Sequence, residues 1–141
     1  MGNSIGAIDP QLMNDIQEHA KIVATKIPLN YIKERKDILN KMKNVSPKPY
    51  KNLLYSEYPE KNRAKVNTLA LHYATSDTSK KNLSLEVNKQ IQPKVEQELV
   101  GKNSLVQKGI KKAVEIAVEQ AISRAIDAVI KNIDINDPNT E

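Results

Sequence analysis

Two histidines, His19 and His72, are the side chains best suited to acid–base chemistry near neutral pH. Each falls inside a stretch with helical spacing, and neither belongs to an HExxH arrangement or a comparable ligand pattern. They read as ordinary helical histidines. With no cysteine in the chain, thiolate catalysis, disulfides and sulfur-ligated zinc are all excluded. The four glycines, Gly2, Gly6, Gly101 and Gly109, cannot form a P-loop or a dinucleotide fingerprint, and there is no GxSxG. In the tail, Asp134 and Asn136 have a loosely calcium-like spacing, but the glycine and glutamate that complete such a loop are missing. The expectation is a protein without catalytic residues, metal, cofactor or small-molecule substrate, acting by binding or assembly.

Three other features could support binding. The N-terminal MGNSIG resembles an N-myristoylation signal at Gly2, although Gly6 stands where serine or threonine is preferred. One acyl chain binds membranes only marginally, so a second attachment is required. The basic residues Lys33, Arg35, Lys36, Lys41, Lys43, Lys48 and Lys51 could supply it by attraction to anionic lipid. That layout resembles a viral matrix protein. The second feature is an interleaving of basic and aromatic side chains, with Lys48, Tyr50, Lys51, Tyr55, Tyr58, Lys61 and Arg63 suited to phosphate neutralisation and base stacking. Glu57 and Glu60 interrupt it. Charge is segregated accordingly: residues 1–82 carry 14 Lys+Arg against 8 Asp+Glu, whereas residues 83–141 carry 8 against 9.

The third feature is a pair of apolar ladders at spacing four near the C-terminus. One runs through Ile110, Val114, Val118, Ile122, Ile126 and Ile130; beside it lie Ala113, Ala117, Ala121, Ala125, Val129 and Ile133. A step of four residues advances about 40° around a helix, so the stripe slants about the axis and does not suit a long left-handed coiled coil. The ladders are expected to bury against another helix of the same chain or of a neighbour, and the first ladder is the candidate assembly interface, toward a partner protein or a second copy of the chain.

These features require helices to position them. Asp9 and Pro10 make a helix start, followed by Leu12, Ile16, Ala20, Val23 and Ile27 until Pro28 interrupts. A basic amphipathic helix then fits residues 29–43, with its lysines and Arg35 outward. Residues 44–59, with three prolines and three tyrosines, read as an irregular crossing. A third helix runs from about Pro59 to Ala74, with Val66, Leu69, Ala70 and Tyr73 forming its apolar side. The polar residues 75–82 read as a linker. Leu83, Leu85 and Val87 alternate, leaving residues 83–88 open between a short strand and helix. Pro93 would break or begin a helix, Gly101 would cap one, and the last helix should open at Asn103 or Ser104 and run to about Ile133.

The expected fold is therefore a small all-α domain with a long C-terminal amphipathic helix. Its expected divisions are a flexible start at 1–8, a basic helical region at 9–74, the linker at 75–82, a helical region at 83–133 and a disordered tail at 134–141. No secretory signal and no run long enough to span a bilayer are present, which points to a virion, cytoplasmic or membrane-peripheral setting. Small size and richness in Lys, Asn and Ile favour a minor structural component of a virion or similar particle, with an anionic membrane or nucleic acid as alternative partners.

Overall fold

A computed structural model of the chain describes residues 8–45 and 59–137. Five helices account for most of them: α1 (Pro10–Ala24), α2 (Lys26–Val45), α3 (Glu60–Ala74), α4 (Asp77–Leu99) and α5 (Ser104–Ile130). The protein is all-α, with no strand among the described residues.

The helix ends follow from local chemistry. Asp9 accepts from the amides of Gln11 and Leu12 at the start of α1, satisfying donors that have no partner within the helix. A proline ring clashes with the carbonyl four residues back, so Pro28 disfavours unbroken helix across Ala24. The break falls at Thr25, whose hydroxyl donates to the Ile22 carbonyl at 2.5 Å. Pro28 itself sits in the first turn of α2, where its missing N–H costs little. At the end of α3, Thr75 repeats the device, its hydroxyl donating to the Leu71 carbonyl at 2.8 Å. Ser76 then caps α4 by accepting from the Ser79 amide. Only Thr75 and Ser76 separate α3 from α4, so most of the polar stretch at 75–82 is the first turn and a half of a helix.

Residues 83–88 are helical. Leu83 and Val87 are buried while Leu85 is 59% exposed, and a strand would have put all three on one side. Leu83, Val87, Ile91 and Val95 form a spacing-four row like those of α5. Pro93 breaks nothing. It lies on the exposed side of a continuous α4, which ends at a turn through Gly101 with φ of +75°, a region natural to glycine. Gln107 of α5 ties this turn down, its amide donating to the carbonyls of Leu99 and Lys102, both at 3.1 Å.

Helices α1, α4 and α5 pack on one another as a three-helix bundle. The opposed directions of α1 and α4 bring Lys94 to Asp15, and Lys26 at the start of α2 pairs with Glu86 of α4 at 2.6 Å. Between the three bundle helices lies the main core: Leu12, Ile16, Ala20 and Val23 of α1, the α4 row, and the α5 ladders from Ile110 and from Ala117, with Ile27 of the first turn of α2. Helices α2 and α3 pack chiefly against each other and form a hairpin that leaves the bundle. Its small core consists of Tyr31, Ala70 and Ala74.

Candidate functional site

The slant of the α5 ladder is explained by its neighbours. From Ile110 to Ile126 the buried positions sweep roughly half the circumference of the helix. One partner helix could not cover that arc, but α1 and α4 together do. Ile110, Val114, Val118, Ile122 and Ile126 are all buried within the chain, and Ile130 is half-buried. Of the two covers expected for this face, helices of the same chain supply it from Ile110 to Ile126. The α5 surface keeps only isolated apolar residues such as Leu105 and Ile116 exposed.

The basic residues fare differently. Lys33, Lys36 and Lys41 are exposed on α2. Arg35, expected beside them, is 1% exposed. It continues the inward stripe of Ile27 and Tyr31 at spacing four, so its position on the helix overrides its charge. Its guanidinium lies 5.9 Å from the centre of the Tyr31 ring, a cation–π arrangement suited to a buried cation. The side chain of Lys43 lies outside the described residues, as do Gly2, Lys48, Lys51, Tyr50, Tyr55 and Tyr58. Of the remaining basic–aromatic series, Lys61 is exposed on α3 and Arg63 is half-buried.

Helix α3 adds residues that the sequence did not single out. Its inward stripe is Val66, Asn67, Ala70 and Ala74, which leaves Leu69 and Tyr73 at its edge, 42% and 48% exposed, instead of in the core. Lys65, Thr68 and His72 share the outer face with Lys61. Spacing from Lys61 to Lys65, Thr68 and His72 was the available signal. Among the described residues, Lys33, Lys36, Lys41, Lys61 and Lys65 make no ion pair.

The resulting charge distribution is sharper than the division by halves. Helices α1, α4 and α5 together carry nine basic and nine acidic residues, whereas α2 and α3 carry nine basic against three acidic. The bundle is neutral and the hairpin holds the positive charge. Exposed Leu29, Leu69 and Tyr73 add apolar contact area to the same hairpin.

Other clefts are small and polar or shallow. One near the start of α1 is lined by Asp9, Asp15, Lys94 and Glu98 and is occupied by the Asp15–Lys94 pair. Another, of about 410 Å³, lies where the base of the hairpin meets the end of α5, between Pro28, Tyr31, Ile32, Val129 and Ile133. His19 belongs to the bundle and His72 to the hairpin. Among the described residues no three of His, Asp and Glu converge to hold a metal ion, and no helix is long and apolar enough to cross a membrane.

Fold and surface together define a class: an all-α protein with a neutral three-helix bundle bearing a cationic helical hairpin. No known protein family, curated protein or solved structure matches the chain.

Proposed function

We propose that this chain is a non-enzymatic structural protein that attaches to a phosphate-bearing surface through its α2–α3 hairpin. The observation that carries the reading is the segregation of charge, a neutral bundle joined to a hairpin with nine basic and three acidic residues. Like charges gathered on adjacent helices repel one another and raise the free energy of the compact state. A bound polyanion offsets that cost and gains the counterions that the lysines and phosphates release. Exposed Leu29, Leu69 and Tyr73 supply apolar contacts beside the lysines. Assembly through the α5 ladder is not carried forward, because α1 and α4 already cover it.

Nucleic acid and anionic phospholipid share the phosphate chemistry, and the test separates them. The full chain is titrated with a fluorescent oligonucleotide and, separately, with vesicles containing phosphatidylserine, over a series of salt concentrations. If Lys33, Lys36 and Lys41 each neutralise one phosphate, the slope of log K against log salt on duplex DNA should change by about 3 in the triple glutamine variant. Binding to vesicles alone makes the source a lipid surface and gives an acyl group on Gly2 a place in the attachment. Binding to neither, or equal affinity for the triple variant, refutes the reading.

A further inference from the structure

Beyond the first turn of α2, where Ile27 is buried in the main core and Lys26 pairs with Glu86 of α4, the hairpin and the bundle share little contact among the described residues. Each of the two polypeptide connections between them is minimal, Thr25 alone between α1 and α2 and Thr75–Ser76 between α3 and α4. At both, a threonine hydroxyl turns back to cap the preceding helix. Tyr31, less than two turns beyond the first break, packs with Ala74 beside the second. There the cleft of about 410 Å³ separates the base of the hairpin from the end of α5.

The C-terminal segment after α5 crosses this junction. Ile133 is the one described residue that packs against both the main core and the hairpin core. Two residues on, the Ile135 carbonyl accepts from the side-chain amide of Asn67 at 2.5 Å, and Asn67 is fully buried in α3. The Asn136 amide donates to the Asp134 carboxylate at 2.8 Å and holds the segment in a turn. A polar side chain buried in a thin hairpin thus has a partner on the tail.

We infer that residues 133–137 act as a strap that fixes the hairpin to the bundle, and that releasing it lets α3 and the part of α2 beyond Ile27 open from the bundle. The inference does not depend on what the hairpin binds. Among the described residues, Ile133 and the Asn67–Ile135 hydrogen bond bridge the two cores away from the first turn of α2, where Ile27 and the Lys26–Glu86 pair already join that helix to the bundle. Loss of the bridge therefore leaves each unit with its internal packing intact. Bundle and hairpin should then open as separate cooperative units.

Hydrogen exchange measured by mass spectrometry on the full chain tests this with Ile133→Asp, with the milder Ile133→Ala in case the charged variant does not fold. Ile126→Ala, inside the bundle core, serves as the control for general destabilisation. With the strap released, amides of α3 and of α2 beyond Ile27 should exchange roughly tenfold faster or more, while those of α1, α4 and α5 stay within about twofold of wild type. Equal acceleration in all five helices, as expected for Ile126→Ala, would make Ile133 part of one cooperative core and overturn the proposal. Unchanged exchange in α2 and α3 would overturn it equally, since the tail would then hold nothing.

Discussion

Replacing Ile122 by alanine tests most directly whether the α5 ladder is the interior of this protein. Ile122 is 1% exposed and sits where α5 meets the other bundle helices. The substitution removes three carbons, worth about 0.8 kcal/mol each in transfer from water, or roughly 2.5 kcal/mol. Packed helices on either side cannot close fully on the space left behind, and the residual cavity brings the expected loss to about 3–4 kcal/mol. Against a total stability on the order of 5–15 kcal/mol, that is a large fraction. The internal comparison is Ile116→Ala on the same helix, where the side chain is 43% exposed. There the lost burial is smaller and the better helix propensity of alanine returns a few tenths, so the net change should stay below about 1 kcal/mol. Urea denaturation followed by far-ultraviolet circular dichroism measures both, with unchanged m values expected. Similar midpoints for the two variants would refute the burial argument. So would Ile122→Ala keeping full stability while lowering the oligomeric mass, because the ladder would then face a second copy of the chain.

Pro93→Ala should stabilise the protein by about 2–3 kcal/mol, since Pro93 is exposed within α4 and its replacement restores a helical hydrogen bond without losing packing; a rise in thermal midpoint checks it. Gly101→Ala should cost about 1–2 kcal/mol in denaturant midpoint: its φ is +75° and no atom stands within 4 Å of the added methyl, so the whole cost is backbone strain. At the start of α5, Asn103 accepts from the Val106 amide at 2.9 Å, and Asn103→Ala should lose about 1 kcal/mol, recovered in large part by Asn103→Ser in the same denaturation series.

Much of the fold is legible in the sequence because helix ends are written in short-range chemistry. Asp9–Pro10, Pro59–Glu60, Gly101 and Asn103 mark ends close to where the helices begin and stop. The ladders at spacing four announce α5 because a helix buried on two sides needs a wide, slanting arc. What the sequence concealed depends on which side of a helix faces a neighbour. Leu83 and Val87 could share a face with Leu85 in a strand but not in a helix, and only the α1 and α5 contacts decide between them. Pro93 costs about 3 kcal/mol in a helix interior, yet the α4 row is long enough on both sides to absorb that. Arg35 and Asn67 defeat assignment by residue type, since each is polar and each lies on an inward stripe. The sequence left open which helices cover the ladder, because a ladder meant for α1 and α4 looks the same as one meant for a partner.

The hairpin and the strap are linked by a common weakness. Two helices alone offer little interior: Ile27 of α2 belongs to the main core, and the other buried apolar residues of the pair are Tyr31, Ala70 and Ala74, with Val66 beyond them. Upon that small core the hairpin places nine basic residues against three acidic ones, so repulsion opposes its closed form. A strap that inserts Ile133 at its base and accepts from Asn67 supplies what its own sequence does not. A polyanion that neutralises the outer lysines would stabilise the hairpin by a different route, through mass action on the folded form. The two contributions act on one element from opposite ends. Weakening the strap should therefore make hairpin stability more dependent on the polyanion, and adding the polyanion should slow exchange in α2 and α3 more in Ile133→Ala than in wild type. If bound polyanion instead slowed exchange in α1, α4 and α5 to the same degree, the contact surface would not be the hairpin.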